Sequence, residues 1–160
     1  MIRFFVLTLV LLRAATAVAG DRPSVAANDI VWSSLGKNEN DSMPVGNGDL
    51  AANVWTEPNG DLVLLVSKAD AWSELNKPLK LGRIRIRLTP NPFGNATDFK
   101  QTLRLEDATV EIRSGSNVIR VWADANHPVL RVEGSLGQPT AVRASVELWR
   151  TKDHRAPRTS

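Results

Sequence analysis

"GRIRIRL", Gly82 to Leu88, alternates arginine with an aliphatic residue at a period of two. In an extended chain successive side chains point to opposite faces, so Ile84, Ile86 and Leu88 share one face and Arg83, Arg85 and Arg87 the other. The stretch predicts a strand with one face on a core and one in solvent, the habit of antiparallel sheets.

The same alternation recurs on either side. "QTLRLEDATVEIRSG" shows it twice, with Leu103 and Leu105, then Val110 and Ile112, predicted to point inward. "NVIRVWA" does so through Ile119, Val121 and Ala123, and "PVLRVEG" through Leu130 and Val132. "AVRASVELW" closes the series with Val142, Ala144, Val146 and Leu148. "DLVLLVS", Asp61 to Ser67, is a continuous apolar run, as expected of a strand covered on both faces.

Turn chemistry separates these runs at short intervals. Asn59-Gly60 is the preferred pair for a two-residue hairpin that needs positive φ. "SGSN" (Ser114 to Asn117), "NHP" (Asn126 to Pro128) and "GQP" (Gly137 to Pro139) are further breakers. No stretch of a dozen residues carries a helical apolar stripe. Regularly spaced strands with turn signals predict an all-β, antiparallel β-sandwich.

The ends read differently. Arg3 followed by "FFVLTLVLL" (Phe4 to Leu12) and Ala17-Val18-Ala19 has the form of a signal peptide over residues 1–19. Its nine-residue apolar stretch is too short for a hydrocarbon core that needs about 20 residues. An exported chain is therefore expected, periplasmic, cell-surface or secreted and off the membrane once cleaved, and the lack of cysteine fits a bacterial setting better than a small eukaryotic secreted scaffold. Residues 20–28 form an N-terminal extension, 29–149 the sandwich, and 150–160 a basic tail or the start of a linker.

Charge excludes one large class of partner. Without Arg3 and Arg13 there are 18 Lys and Arg against 17 Asp and Glu, and residues 150–160 hold four of those bases and one acid. Asp21 to Trp149 then carries 14 bases against 16 acids, a net of −2, so no basic stripe is available to neutralise phosphates and nucleic acid is not expected as a partner.

Catalytic signals are sparse. His127 and His154 are the only histidines; neither has metal-ligand spacing, and no G-x-S-x-G or phosphate-cradling loop occurs. Carboxylates are plentiful (Asp41, Asp49, Asp61, Asp70, Glu74, Asp98, Glu106, Asp107), but a glycosidase pair is assembled across a cleft by the fold, which spacing does not reveal. No catalytic residue, metal or cofactor is assigned. Among five tryptophans, Trp32, Trp55, Trp122 and Trp149 lie in or at the ends of strands, where packing is the ordinary role. Trp72 follows the buried run where strand gives way to loop, placed either to pack or to stack on a sugar ring.

"SMPVGNGDLAANVW", Ser42 to Trp55, is the most specific stretch. Met43 to Trp55 resembles the M-P-x-G-N-G-x-L opening of glycoside hydrolase family 95, the alpha-L-fucosidase-type enzymes, and of the related domain of unknown function 5703. "VSKADAWSE" is similar to that group's apolar strand leading into a Trp-Ser pair, here Trp72-Ser73. "FKQTLRLEDATVEIR" and "VIRVWADANHPVLRVEG" resemble its following segments. Ser67-Lys68 stands where the fucosidase type has Asn-Glu, which favours the domain of unknown function. The resemblance implies a supersandwich that precedes an (α/α) barrel carrying the acid and base, so the sandwich would be incomplete alone and its partners would be that barrel and carbohydrate. The corner has a physical reading beside it: Gly46 and Gly48 would supply positive φ or close backbone approach, and Asn47 would take a left-handed conformation or aim its amide at a partner, either as plain turn geometry alone or as a loop that docks on the barrel or borders its cleft. With Trp72, these three are the candidate substrate-binding or barrel-facing residues. The other readings of the chain are a free-standing carbohydrate-binding module and, behind it, an envelope structural module with no ligand.

Overall fold

The computed structural model describes residues 24–148, residue 75 excepted. The expected signal peptide, Trp149, His154 and the basic tail lie outside the described residues. Ten strands follow in order: β1 (Ile30–Trp32), β2 (Met43–Gly46), β3 (Leu50–Thr56), β4 (Leu62–Trp72), β5 (Pro78–Thr89), β6 (Lys100–Arg104), β7 (Thr109–Ser114), β8 (Asn117–Ala123), β9 (Leu130–Ser135) and β10 (Ala141–Glu147). Only two short 3-10 turns, Val25–Asn28 and Glu39–Asp41, interrupt the β-structure among the described residues.

Two antiparallel five-stranded sheets form the predicted sandwich, in the orders β1-β6-β7-β8-β9 and β10-β5-β4-β3-β2. Their inward residues are those of the period-two reading. Leu64, Val110, Ile112 and Val121 are each at most 1 % exposed, and Met43, Val54, Leu62, Ile86 and Leu88 join them in one core. Each such side chain contributes about 1.5–3 kcal/mol by leaving water. Phe93 and Phe99, from the loop between β5 and β6, are buried in the same core. A polar link crosses it: Thr56 Oγ1 donates to Gln101 Oε1 (3.1 Å), and Gln101 Nε2 donates to the Val54 carbonyl (3.3 Å). These bonds satisfy a buried amide that would otherwise be costly.

The sheets are offset. The principal cross-sheet contacts run from β2 to β7 and β8, and from β3 to β8 and β9, whereas β10 packs chiefly on β5. Several residues predicted to point inward are consequently uncovered. Val142 pairs with Leu88 and Val146 with Ile84, on the core-facing side, yet these two and Leu148 are 64 %, 70 % and 65 % exposed. Val132 of the edge strand β9 is also exposed, and so is Leu105, which falls in the turn after β6.

The arginine face of β5 is not simply solvated either. Arg85 donates to Glu57 and, through Nε, to Glu147 (2.6 Å), and it lies 3.3 Å from Asp61. Arg87 also holds Asp61 (3.2 Å), whose side chain is only 3 % exposed. The Asn59-Gly60 turn is a three-residue loop rather than the expected two: Gly60 N–H donates to the Glu57 carbonyl, and Gly60 alone takes positive φ (+83°). That is a type I turn followed by a left-handed glycine.

Candidate functional site

Asn47 joins the two sheets. Its side-chain nitrogen donates to the carbonyls of Asp124 (2.7 Å) and His127 (3.0 Å), in the β8–β9 turn of the other sheet. Its side-chain oxygen accepts from the backbone N–H groups of Leu50 (2.8 Å) and Asp49 (3.0 Å). Both amide hydrogens and both oxygen lone pairs are thereby used, which no other side chain of that size accomplishes. Asn47 is not in a left-handed conformation; its amide does find a partner, within its own chain. The two glycines divide the work. Gly48 has φ +91°, while Gly46 serves close approach, since a Cβ there would sit 3.2 Å from Ala51 Cβ and the Leu50 carbonyl.

The turn that receives Asn47 is built on Asp124. Its Oδ1 accepts from Asn126 N–H (3.0 Å) and meets His127 Nδ1 (3.0 Å), and its Oδ2 accepts from Arg131 Nε (2.8 Å). The Asn126 N–H, then Arg131 and His127, hold this carboxyl well below the usual carboxylate range.

An open cleft of about 440 Å³ lies against this junction. Gly46 and Asn47 form one wall, Asp107 and Ala108 of the β6–β7 turn another, and Trp122 to Asn126 the remainder. Asp107 is paired with Arg104 (3.2 Å).

Of the four predicted site residues, the fold gathers Gly46 and Asn47 at the cleft and leaves Gly48 at the tip of the corner with open space around it. Trp72 does not line the cleft. It ends β4, 56 % exposed, with its indole N–H donated to the Ala69 carbonyl (2.8 Å). Register places Lys68 opposite Leu50, so β4 runs four residues past the corner, about 13 Å at strand rise. Lys68 ties the two features by pairing with Asp49 (3.0 Å) and Asp70 (2.7 Å), which raises its own pKa and lowers that of Asp70. Among the described residues no three His, Cys, Asp or Glu side chains are placed to hold a metal.

Trp122 and Asp124 were not singled out from sequence. The alternation itself carried a signal for the first: with Ile119 and Val121 inward, Trp122 must face outward. "DANHP" carried one for the second, since an Asp opening a turn before Asn-His-Pro is placed to accept from the backbone N–H two residues on, as in an Asx turn.

Residues 31–160 match the family described as Domain of unknown function (DUF5703). The chain belongs to that family. No match is found among curated proteins. The DUF5703 match spans both sheets, so the pinned corner, the β8–β9 turn and the cleft all fall inside it.

Proposed function

We propose that this DUF5703 domain is the non-catalytic N-terminal sandwich of an exported, glycoside-hydrolase-like protein that acts on carbohydrate, related to glycoside hydrolase family 95. Its acid and base would lie in an (α/α) barrel beyond it. The observation that carries the reading is the corner: the most specific part of the resemblance is a rigid rim, clamped across both sheets beside an open cleft. The carboxylates around it also suit a structural role. Asp124 and Asp70 are each held by a cation and shifted downward, the wrong direction for a proton donor at neutral pH. The uncovered Val142, Val146 and Leu148 suit a sandwich that another element completes.

The test is hydrolysis of a panel of aryl glycosides by the full chain. No turnover is expected, and turnover by this chain alone would overturn the reading. Export is checked separately by the mass of the mature protein, expected to begin at Gly20. A second reading, a free-standing carbohydrate-binding module, is favoured by the exposed indole of Trp72. It requires that sugar binding fall when Trp72 is replaced by alanine.

A further inference from the structure

We infer that the cleft beside the corner is a pyranose-binding subsite with Trp122 as its stacking platform. The inference rests on the carbohydrate part of the reading above but places the sugar elsewhere than Trp72. Trp122 follows the fully buried Val121 and so stands on the outer side of its sheet, where it lines the cleft half-buried. An indole on this wall would offer a flat apolar face to the C–H side of a sugar ring.

The residues around it are small where bulk would fill the space: Gly46, Ala108, Ala123 and Ala125. Ala108 holds a left-handed backbone (φ +51°), unusual for a residue with a Cβ. The polar groups on the rim, Asp107, Asp124 and Asn126, can accept from and donate to hydroxyls. At about 440 Å³ the cleft falls within the roughly 300–1,000 Å³ of small-molecule sites.

Charge narrows the ligand. No Lys or Arg lines the cleft, and the two arginines beside it are already engaged, Arg104 by Asp107 and Arg131 by Asp124, so a phosphate or a uronate would find no free cation there. Neutral hexoses and hexosamines remain. The walls come from turns of both sheets, and the Asn47 bonds fix one against the other, so binding would cost little ordering.

The experiment titrates the full chain with methyl hexosides, an N-acetylhexosaminide and a methyl uronate up to about 10 mM, the range of millimolar affinity expected of one small subsite. Binding is read in every variant from saturation transfer to the sugar, and in the parent also from the Trp122 indole N–H resonance, identified by its loss in Trp122→Ala. A neutral sugar should shift it, and Trp122→Ala should weaken binding about tenfold. Trp72→Ala should leave binding unchanged. Ala125→Phe, in an exposed turn, should block binding with the indole still present, which covers the case that Trp122→Ala fails to fold. Binding lost in Trp72→Ala, binding of the uronate alone, or no binding of any sugar would overturn the subsite. None of these touches the accessory role, which falls only if the chain hydrolyses aryl glycosides.

Discussion

Replacing Asn47 by alanine removes two donated and two accepted hydrogen bonds and leaves the Asp124 and His127 carbonyls without that partner. At about 0.5–1.5 kcal/mol net for each of the four bonds, the expected loss is about 2–6 kcal/mol, read as a lower urea midpoint with an unchanged slope. A change below about 0.5 kcal/mol would show that the clamp is decorative. Asp124 predicts a pH effect. Its folded pKa lies below the unfolded value near 3.9, so the carboxylate contributes stability above that pH and loses it as pH falls toward the folded value. The fall in melting temperature below about pH 4 should therefore be shallower in Asp124→Asn than in the parent. At this scale the sequence showed half of the site. Glycine and asparagine at the corner were legible because backbone geometry is local. The receiving carbonyls were not, because they lie 77 and 80 residues away and only the fold brings them near.

Strand β5 shows what alternation does and does not specify. It puts Arg83, Arg85 and Arg87 on one face but not their partners, which arrive from the β3–β4 turn and from β10. Arg85→Met should cost about 3 kcal/mol, because Asp61 and Glu57 lose a counter-charge where Asp61 is almost wholly buried. Adding Asp61→Asn and Glu57→Gln to that variant should restore part of the loss in thermal unfolding. An equal or larger deficit in the triple variant would mean that the arginine acts through its packing instead. Period-two patterning also predicted β10 correctly as a strand and its apolar side correctly as core-facing, yet wrongly as buried. Burial depends on how far the opposing sheet reaches, and no local pattern encodes that reach.

For the molecule as a whole, the offset separates two kinds of apolar residue that look alike in sequence. Ile86→Ala should cost about 2–5 kcal/mol as a core truncation, whereas Val142→Lys and Val146→Lys should each stay within about 0.5 kcal/mol. The lysine pair should also reduce binding of a hydrophobic dye, and an unchanged dye signal would place the apolar patch elsewhere. The sandwich class was legible because alternation and turn residues agree throughout the chain; the stagger between layers was not. That stagger sets an order of local opening. Amide protons of β3 and β4, hydrogen-bonded on both sides inside their sheet, should resist deuterium longest, while β10, held by β5 alone, should take up the isotope first.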